Sequence, residues 1–205
     1  MATPPTSASP LVERVKRLLL EPKAEWPRID EEPATVGGIY RNWVLILAAV
    51  SVVCGAIGLL LFGFSALGYT YRPGIGDAVG IAITNYLVAI LSVFVISLII
   101  DALAPTFGGT KNRVQATKVA AYAMTASWVA GIAGLFPPIA WIVGLAGAVY
   151  SVYLLYLGLP RLMKAPADKA VGYTAAVVVV AVVLSLVAGF IVGAIMPFTG
   201  NRIAP

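Results

Sequence analysis

The sequence contains no histidine, so it lacks the residue that most often ligates metals and moves protons near neutral pH. It has one cysteine, Cys54, inside an apolar run. A single thiol excludes an intrachain disulfide and a CxxC site, and this setting suits a small buried hydrophobe rather than a reactive group. Charge is scarce. Asp, Glu, Lys and Arg make up 11% of the 205 residues, where a soluble domain carries about a quarter. So thin a polar complement cannot cover a water-facing surface. Walker loops, nucleophile elbows and zinc-ligand spacings are missing, as are paired carboxylates within the apolar runs. The residues therefore point to no reaction, no metal and no cofactor, and the expectation is a protein that is not an enzyme.

What is present is hydrocarbon: 60% of the residues are apolar, and the mean hydropathy is +0.93. The solvent for most of this chain is lipid. Five runs are long enough to cross a core of about 30 Å, which takes ~20 helical residues. They fall near residues 43–67, 79–103, 119–135, 139–159 and 171–196. The third and fourth come from one uncharged stretch between Lys118 and Arg161, which Pro137-Pro138 divides as a tight hairpin. Continuous runs without alternation favour helices over barrel strands. The expected fold is an all-α integral membrane protein, a bundle of five transmembrane helices with an N-terminal amphipathic cytoplasmic helix. Residues 1–9 are expected as a disordered tail, 10–42 as a cytoplasmic leader, 43–196 as the membrane domain and 197–205 as a non-cytoplasmic tail.

Lysine and arginine set the orientation. The segment before the first run and the loops after the second and fourth hold twelve of them, against two on the other side. That places the N-terminus in the cytoplasm and the C-terminus outside it. The net charge of +5 is then this bias rather than a nucleic-acid surface, with some attraction to anionic headgroups.

In the leader, Ser9-Pro10 offers an N-cap and a first-turn proline. Leu11, Val12, Val15, Leu18 and Leu19 recur at helical spacing with Glu13, Arg14, Lys16 and Arg17 between them, up to a stop before Pro22. So short a helix needs a surface to lie on. The membrane interface and the protein's own bundle or a partner are both open. Flanking cations and Trp26 favour the interface, with Leu11, Arg14, Val15, Lys16, Arg17, Leu18 and Trp26 as the contact set. Asp30-Glu31-Glu32 is expected as a solvated turn, and Tyr40 and Trp43 as interfacial belt residues.

Within the apolar runs, small residues recur four apart: Ser51 with Gly55, Gly147 with Ser151, and Gly189 with Gly193. That spacing lets helices approach closely, within one chain or between two. Asn85 suits interhelical hydrogen bonding and Asp101 suits headgroup water at a helix end. A sharper possibility joins Asn85, Asp101, Tyr150, Tyr153 and Tyr156 into one polar groove. In the loop with Phe107, Gly108-Gly109 is required only if the backbone turns with positive φ.

The leader LVERVKRLLLEPKAEWPRI, the FGGT loop with AYAMTAS after it, and YSVYLLYLGLPRLMKAPADKAVGYT together resemble the bacterial branch of the YIP (Ypt/Rab-interacting protein) membrane proteins. The resemblance spans about residues 11–196, and its most specific piece is YLLYLGL, Tyr153 to Leu159. It implies a five-helix bundle with a cytoplasmic N-terminus, a bacterial inner membrane, and the role of a membrane organiser or adaptor. Eukaryotic members engage prenylated Rab GTPases, but their D-L-Y-G-P and Y-G-Y motifs are absent here. The expected function is a non-enzymatic membrane protein that organises lipids or partner proteins. The alternative is a small transporter, channel or lipid-moving protein using the polar groove.

Overall fold

The computed structural model describes residues 11–66 and 69–195. The expected tails 1–9 and 197–205, and the Ser9-Pro10 cap, lie outside these residues. Two short helices open the chain, α1 (Leu11–Leu20) and α2 (Pro22–Glu31). Pro22 is the reason for the second. It ends the first helix, since it cannot continue the ladder, and then occupies the first turn of the next, where its missing N–H is no loss. The expected solvated turn at Asp30-Glu31 is therefore the last turn of a helix.

The chain next enters a helical stretch from Val36 to Phe62: α3 (Val36–Ile39), a π-helical turn at Tyr40–Val44 and α4 (Leu45–Phe62). Thr35 caps its start by accepting from Gly38 N at 3.1 Å. A two-stranded antiparallel ribbon follows, β1 (Phe64–Ala66) and β2 (Tyr69–Tyr71), with Ser65 opposite Thr70. It is the one departure from an all-helical fold among the described residues. Then come α5 (Ile75–Leu103), α6 (Arg113–Ala123), α7 (Thr125–Ala130), α8 (Pro137–Leu162) and α9 (Ala170–Ile195).

Among the described residues, four helical stretches are long and apolar enough to cross a membrane: Val36–Phe62, Ile75–Phe107, Pro137–Leu162 and Ala167–Val187. The expected span at 119–135 is not one continuous helix. It is α6, a break at Met124, α7 and a 3-10 turn at Gly131–Leu135. The reason is close packing. This broken path lies between α4, α5 and α8, and Ala116 to Ala123 are all buried. A methyl group on Gly58 would collide with the Gly134 carbonyl, and one on Gly131 with the Ser51 side chain. Only glycine fits there, against backbone at Gly58 and against the Ser51 side chain at Gly131, and the tightened turn permits the approach.

The proline hairpin holds, with Pro137 in the first turn of α8 and Phe62 facing Phe136 across the end of the bundle at 6.1 Å. At the opposite end, Gly108 does turn with φ of 73°, and Phe107 stacks on Tyr173 at 4.9 Å. Outward faces of the long helices are apolar, including Ile46, Val50, Leu87, Leu91, Leu145 and Val179. These faces are what lipid would cover.

Candidate functional site

The charged chemistry of this chain gathers where the leader meets the bundle. Glu25, on α2, is 1% exposed. Burying a carboxylate costs several kcal/mol unless cations and hydrogen bonds offset it, and three arginines surround this one. Arg17 Nε donates to Glu25 Oε2 at 3.1 Å, Arg28 reaches the same oxygen at 3.5 Å, and Arg14 Nε lies 3.5 Å from Oε1. The adjacent Trp26 is 2% exposed and lies against α8. Its ring would be within 2.7 Å of a methyl placed on Gly158, so glycine there makes room for the indole.

A lysine from α6 fastens the other end of α2. Lys118 is 3% exposed. Its ammonium donates to the carbonyl oxygens of Ile29 and Glu32, each at 2.6 Å, and of Asp30 at 3.4 Å. These are the carbonyls a helix leaves unpaired at its C-terminus, where the dipole favours a cation. Gln115, one turn earlier, donates to Asp30 Oδ1 at 2.9 Å. The other carboxylate oxygen of Asp30 takes Lys164 at 2.6 Å and Arg161 at 3.6 Å, both from the C-terminal end of α8 and the loop after it. The leader is thus a cap, keyed to α6 and α8 together.

Beside the cap lies a cleft of about 760 Å³, bounded by α1, the 32–35 connector, the π-helical turn and α6. Arg14 and Glu32 form one wall as a two-bond pair, NH1 to Oε2 at 2.7 Å and NH2 to Oε1 at 2.9 Å. Arg14 also donates to the Tyr122 hydroxyl at 3.4 Å. Trp43 and Tyr122 form the floor, with rings 4.7 Å apart and tilted by 53°. Trp43 Nε1 donates to Thr125 Oγ1 at 3.1 Å, which fixes the indole. The extra backbone residue of the π-helical turn sits at this wall, and such bulges recur at functional sites.

Comparison with known proteins matches residues 16–189 to the Yip1 domain. The chain belongs to the Yip1 family. It is similar to the inner membrane protein YohC of Escherichia coli strain K12, at 25% identity over 171 residues, covering 82% of this chain and 87% of that protein. The YohC protein of Escherichia coli O6:H1 strain CFT073 matches to the same extent. No solved structure matches.

Against this Yip1-family frame, the leader residues expected at a lipid surface divide. Leu18 and Trp26 are buried in protein, and Leu11, Val15 and Arg14 are half-buried. Lys16 is exposed, and Arg17 is partly exposed on Glu25. The apolar side of α1 faces the bundle because the Tyr150 hydroxyl donates to the Leu19 carbonyl at 2.5 Å and Glu25 gathers the arginines. Trp43, expected in an interfacial belt, is 4% exposed.

Of the small-residue pairs, Ser51 and Gly55 face Gly131 and Gly134. Gly147 approaches Ala126 and Ser127, and Ser151 accepts from Ser127 N at 3.1 Å. Gly189 has open space beside it, and the surroundings of Gly193 lie outside the described residues.

The five residues imagined as one polar groove do not converge. Asn85 lines a separate cleft of about 410 Å³ with Ser51, Gly55 and Gly131. Asp101 is sixteen residues further along the same helix, about 24 Å away at 1.5 Å per residue. Tyr153 and Tyr156 are exposed outward, while Tyr150 is spent on Leu19. Glu25 and Tyr122 lie in stretches that carry the family resemblance, the leader and AYAMTAS, but nothing in those stretches marks them, Gln115 or Lys118 as one junction. Their one signal is a charge next to bulky apolar residues, Glu25 before Trp26 and Lys118 before Val119.

Proposed function

We propose that this chain is a five-pass protein of the bacterial inner membrane with a cytoplasmic N-terminus, which organises lipids or partner proteins at its leader-capped face rather than catalysing or transporting. The observation that carries this reading is the distribution of charge. Every ion pair among the described residues that joins the leader to the rest of the chain lies at one end of the bundle. No charged residue occurs between Arg41 and Arg72, Asp77 and Asp101, or Lys118 and Arg161. A transport path is ordinarily marked by intramembrane polar or ionisable groups. Here the broken path α6–α7 is closed against its neighbours by small residues.

In this reading α6, α7 and the 3-10 turn form the third crossing. Their ends support it. Gln115 and Lys118 meet the leader, while Gly134 meets Gly58 near the far end of α4. The inner-membrane assignment follows the name of the YohC relatives, and the orientation follows the twelve-to-two excess of Lys and Arg.

The test is reconstitution of the full chain into vesicles, with ion flux and lipid exchange measured against protein-free controls. Equal rates with and without protein support the organiser. Protein-dependent flux abolished by Asn85→Leu contradicts it and makes the Asn85 cleft a path.

A further inference from the structure

We propose that the cleft between α1 and the π-helical turn binds the headgroup of a zwitterionic phospholipid with a primary ammonium, of the phosphoethanolamine class. This deepens the lipid-organising reading above and rests on it. At about 760 Å³ the cleft lies within the ~300–1,000 Å³ range of small-ligand sites.

Its charges are balanced rather than of one sign. Arg14 holds Glu32 with both ends of its fork but keeps the second N–H of NH2 for a phosphate oxygen, and the Tyr122 hydroxyl beside it can donate as well as accept. Glu32, half-exposed at the rim, retains lone pairs for an ammonium. A purely anionic headgroup would gain Arg14 but meet the carboxylate of Glu32, which lines the cleft and already pairs with that arginine. A headgroup carrying phosphate and ammonium satisfies both poles at once. A trimethylated ammonium has no N–H to give Glu32 and forgoes a charge-assisted bond.

The apolar outer face of α4 begins beside the cleft, which favours a lipid over a soluble phosphate ester. Asn42 lines the cleft. Ile46 and Val50 follow at four-residue steps on the same helical face, 45% and 42% exposed. A headgroup at Asn42 therefore leaves its chains lying down the apolar outer face of α4.

The experiment is native mass spectrometry of the full chain in detergent, titrated with phosphatidylethanolamine, phosphatidylcholine and phosphatidylglycerol, and separately with soluble O-phosphoethanolamine. Hydrogen exchange of the α2 amides reports on the cap. The expected result is one phosphatidylethanolamine retained per chain, roughly tenfold over the other two lipids, as one charged hydrogen bond of ~1.4 kcal/mol gives. Glu32→Gln removes the preference over phosphatidylcholine, and Ala34→Trp, which fills the cleft from its exposed wall, removes retention altogether.

Tighter retention of phosphatidylglycerol overturns the proposal. So does retention unchanged by both substitutions, or displacement by the soluble ester at equal concentration. Protected α2 amides without any lipid preference sink this inference alone. Unprotected α2 amides sink the capped-bundle reading beneath it.

Discussion

Lys118 Nζ lies 2.6 Å from the carbonyl oxygen of Ile29, a residue 89 positions earlier in the chain. That bond places a cation from the interior helix under the last turn of α2, where sequence reasoning has only a solvated turn. Replacing Lys118 with Met keeps the volume and removes the ammonium, so the Ile29 and Glu32 carbonyls lose their donor. Unpaired buried acceptors cost roughly 1–3 kcal/mol. Hydrogen exchange of residues 23–32 should accelerate in Lys118→Met while the α8 and α9 amides stay protected. Unchanged leader protection would show that the lysine does not hold it.

Glu25 is predicted to matter for a different reason. Glu25→Gln leaves Arg14 and Arg17 facing one another across a neutral amide. Breaking a fully buried pair costs about 3–5 kcal/mol. These arginines keep partial contact with solvent, at 22% and 33% exposure, so the loss should be nearer ~2 kcal/mol. Protease nicking between α1 and α2 is the readout. The variant should be cleaved sooner than the parent, and Glu13→Gln, on an exposed carboxylate, should not.

Two glycines give a paired test of the interior. Gly58→Ala drives a methyl into the Gly134 carbonyl, whereas Gly144 has nothing within 4 Å of where its methyl would go. Overpacking of the first kind costs ~1–3 kcal/mol. Exchanging glycine for alanine in an open helical position gains roughly 0.5–1 kcal/mol. Thermal unfolding in detergent should therefore move down for Gly58→Ala and level or up for Gly144→Ala. Equal shifts would mean that α4 and the 131–135 turn do not touch.

Much of this was open to sequence reading, and the boundary has physical causes. Long uncharged runs bounded by lysine, arginine and proline mark three helices almost to their ends, because hydrocarbon thickness sets helix length directly, whereas the expected run 43–67 overshoots Phe62 into the strand Phe64–Ala66. The break at Met124 leaves no such mark. AYAMTAS is as helix-compatible as its surroundings, and the 3-10 turn after it answers to the glycines of α4. Pro22 shows the same limit locally, since a proline that ends one helix is equally suited to begin the next.

The leader shows where local pattern fails altogether. Cations flanking an apolar stripe suit a headgroup surface, but they suit a buried Glu25 equally well. Only the fold reveals that Leu18 is covered by protein. Tryptophans mislead in the same way, because Trp26 and Trp43 have the composition of belt residues and the burial of core.

The most direct test of the capped five-pass account is cysteine accessibility on a Cys54→Ala background. Single cysteines go at Lys23 on the exposed side of α2, at Leu18 beneath the leader, at Lys111, in the hairpin at Pro138, and at Lys164. A membrane-impermeant reagent applied to intact cells and to inverted vesicles should label Lys23, Lys111 and Lys164 only from the cytoplasmic side and Pro138 only from the other. Leu18 should stay silent from both until the membrane is dissolved and the protein unfolded. Labelling of Leu18 alongside Lys23 would contradict the docked cap, and Pro138 reporting from the cytoplasmic side would contradict the third crossing.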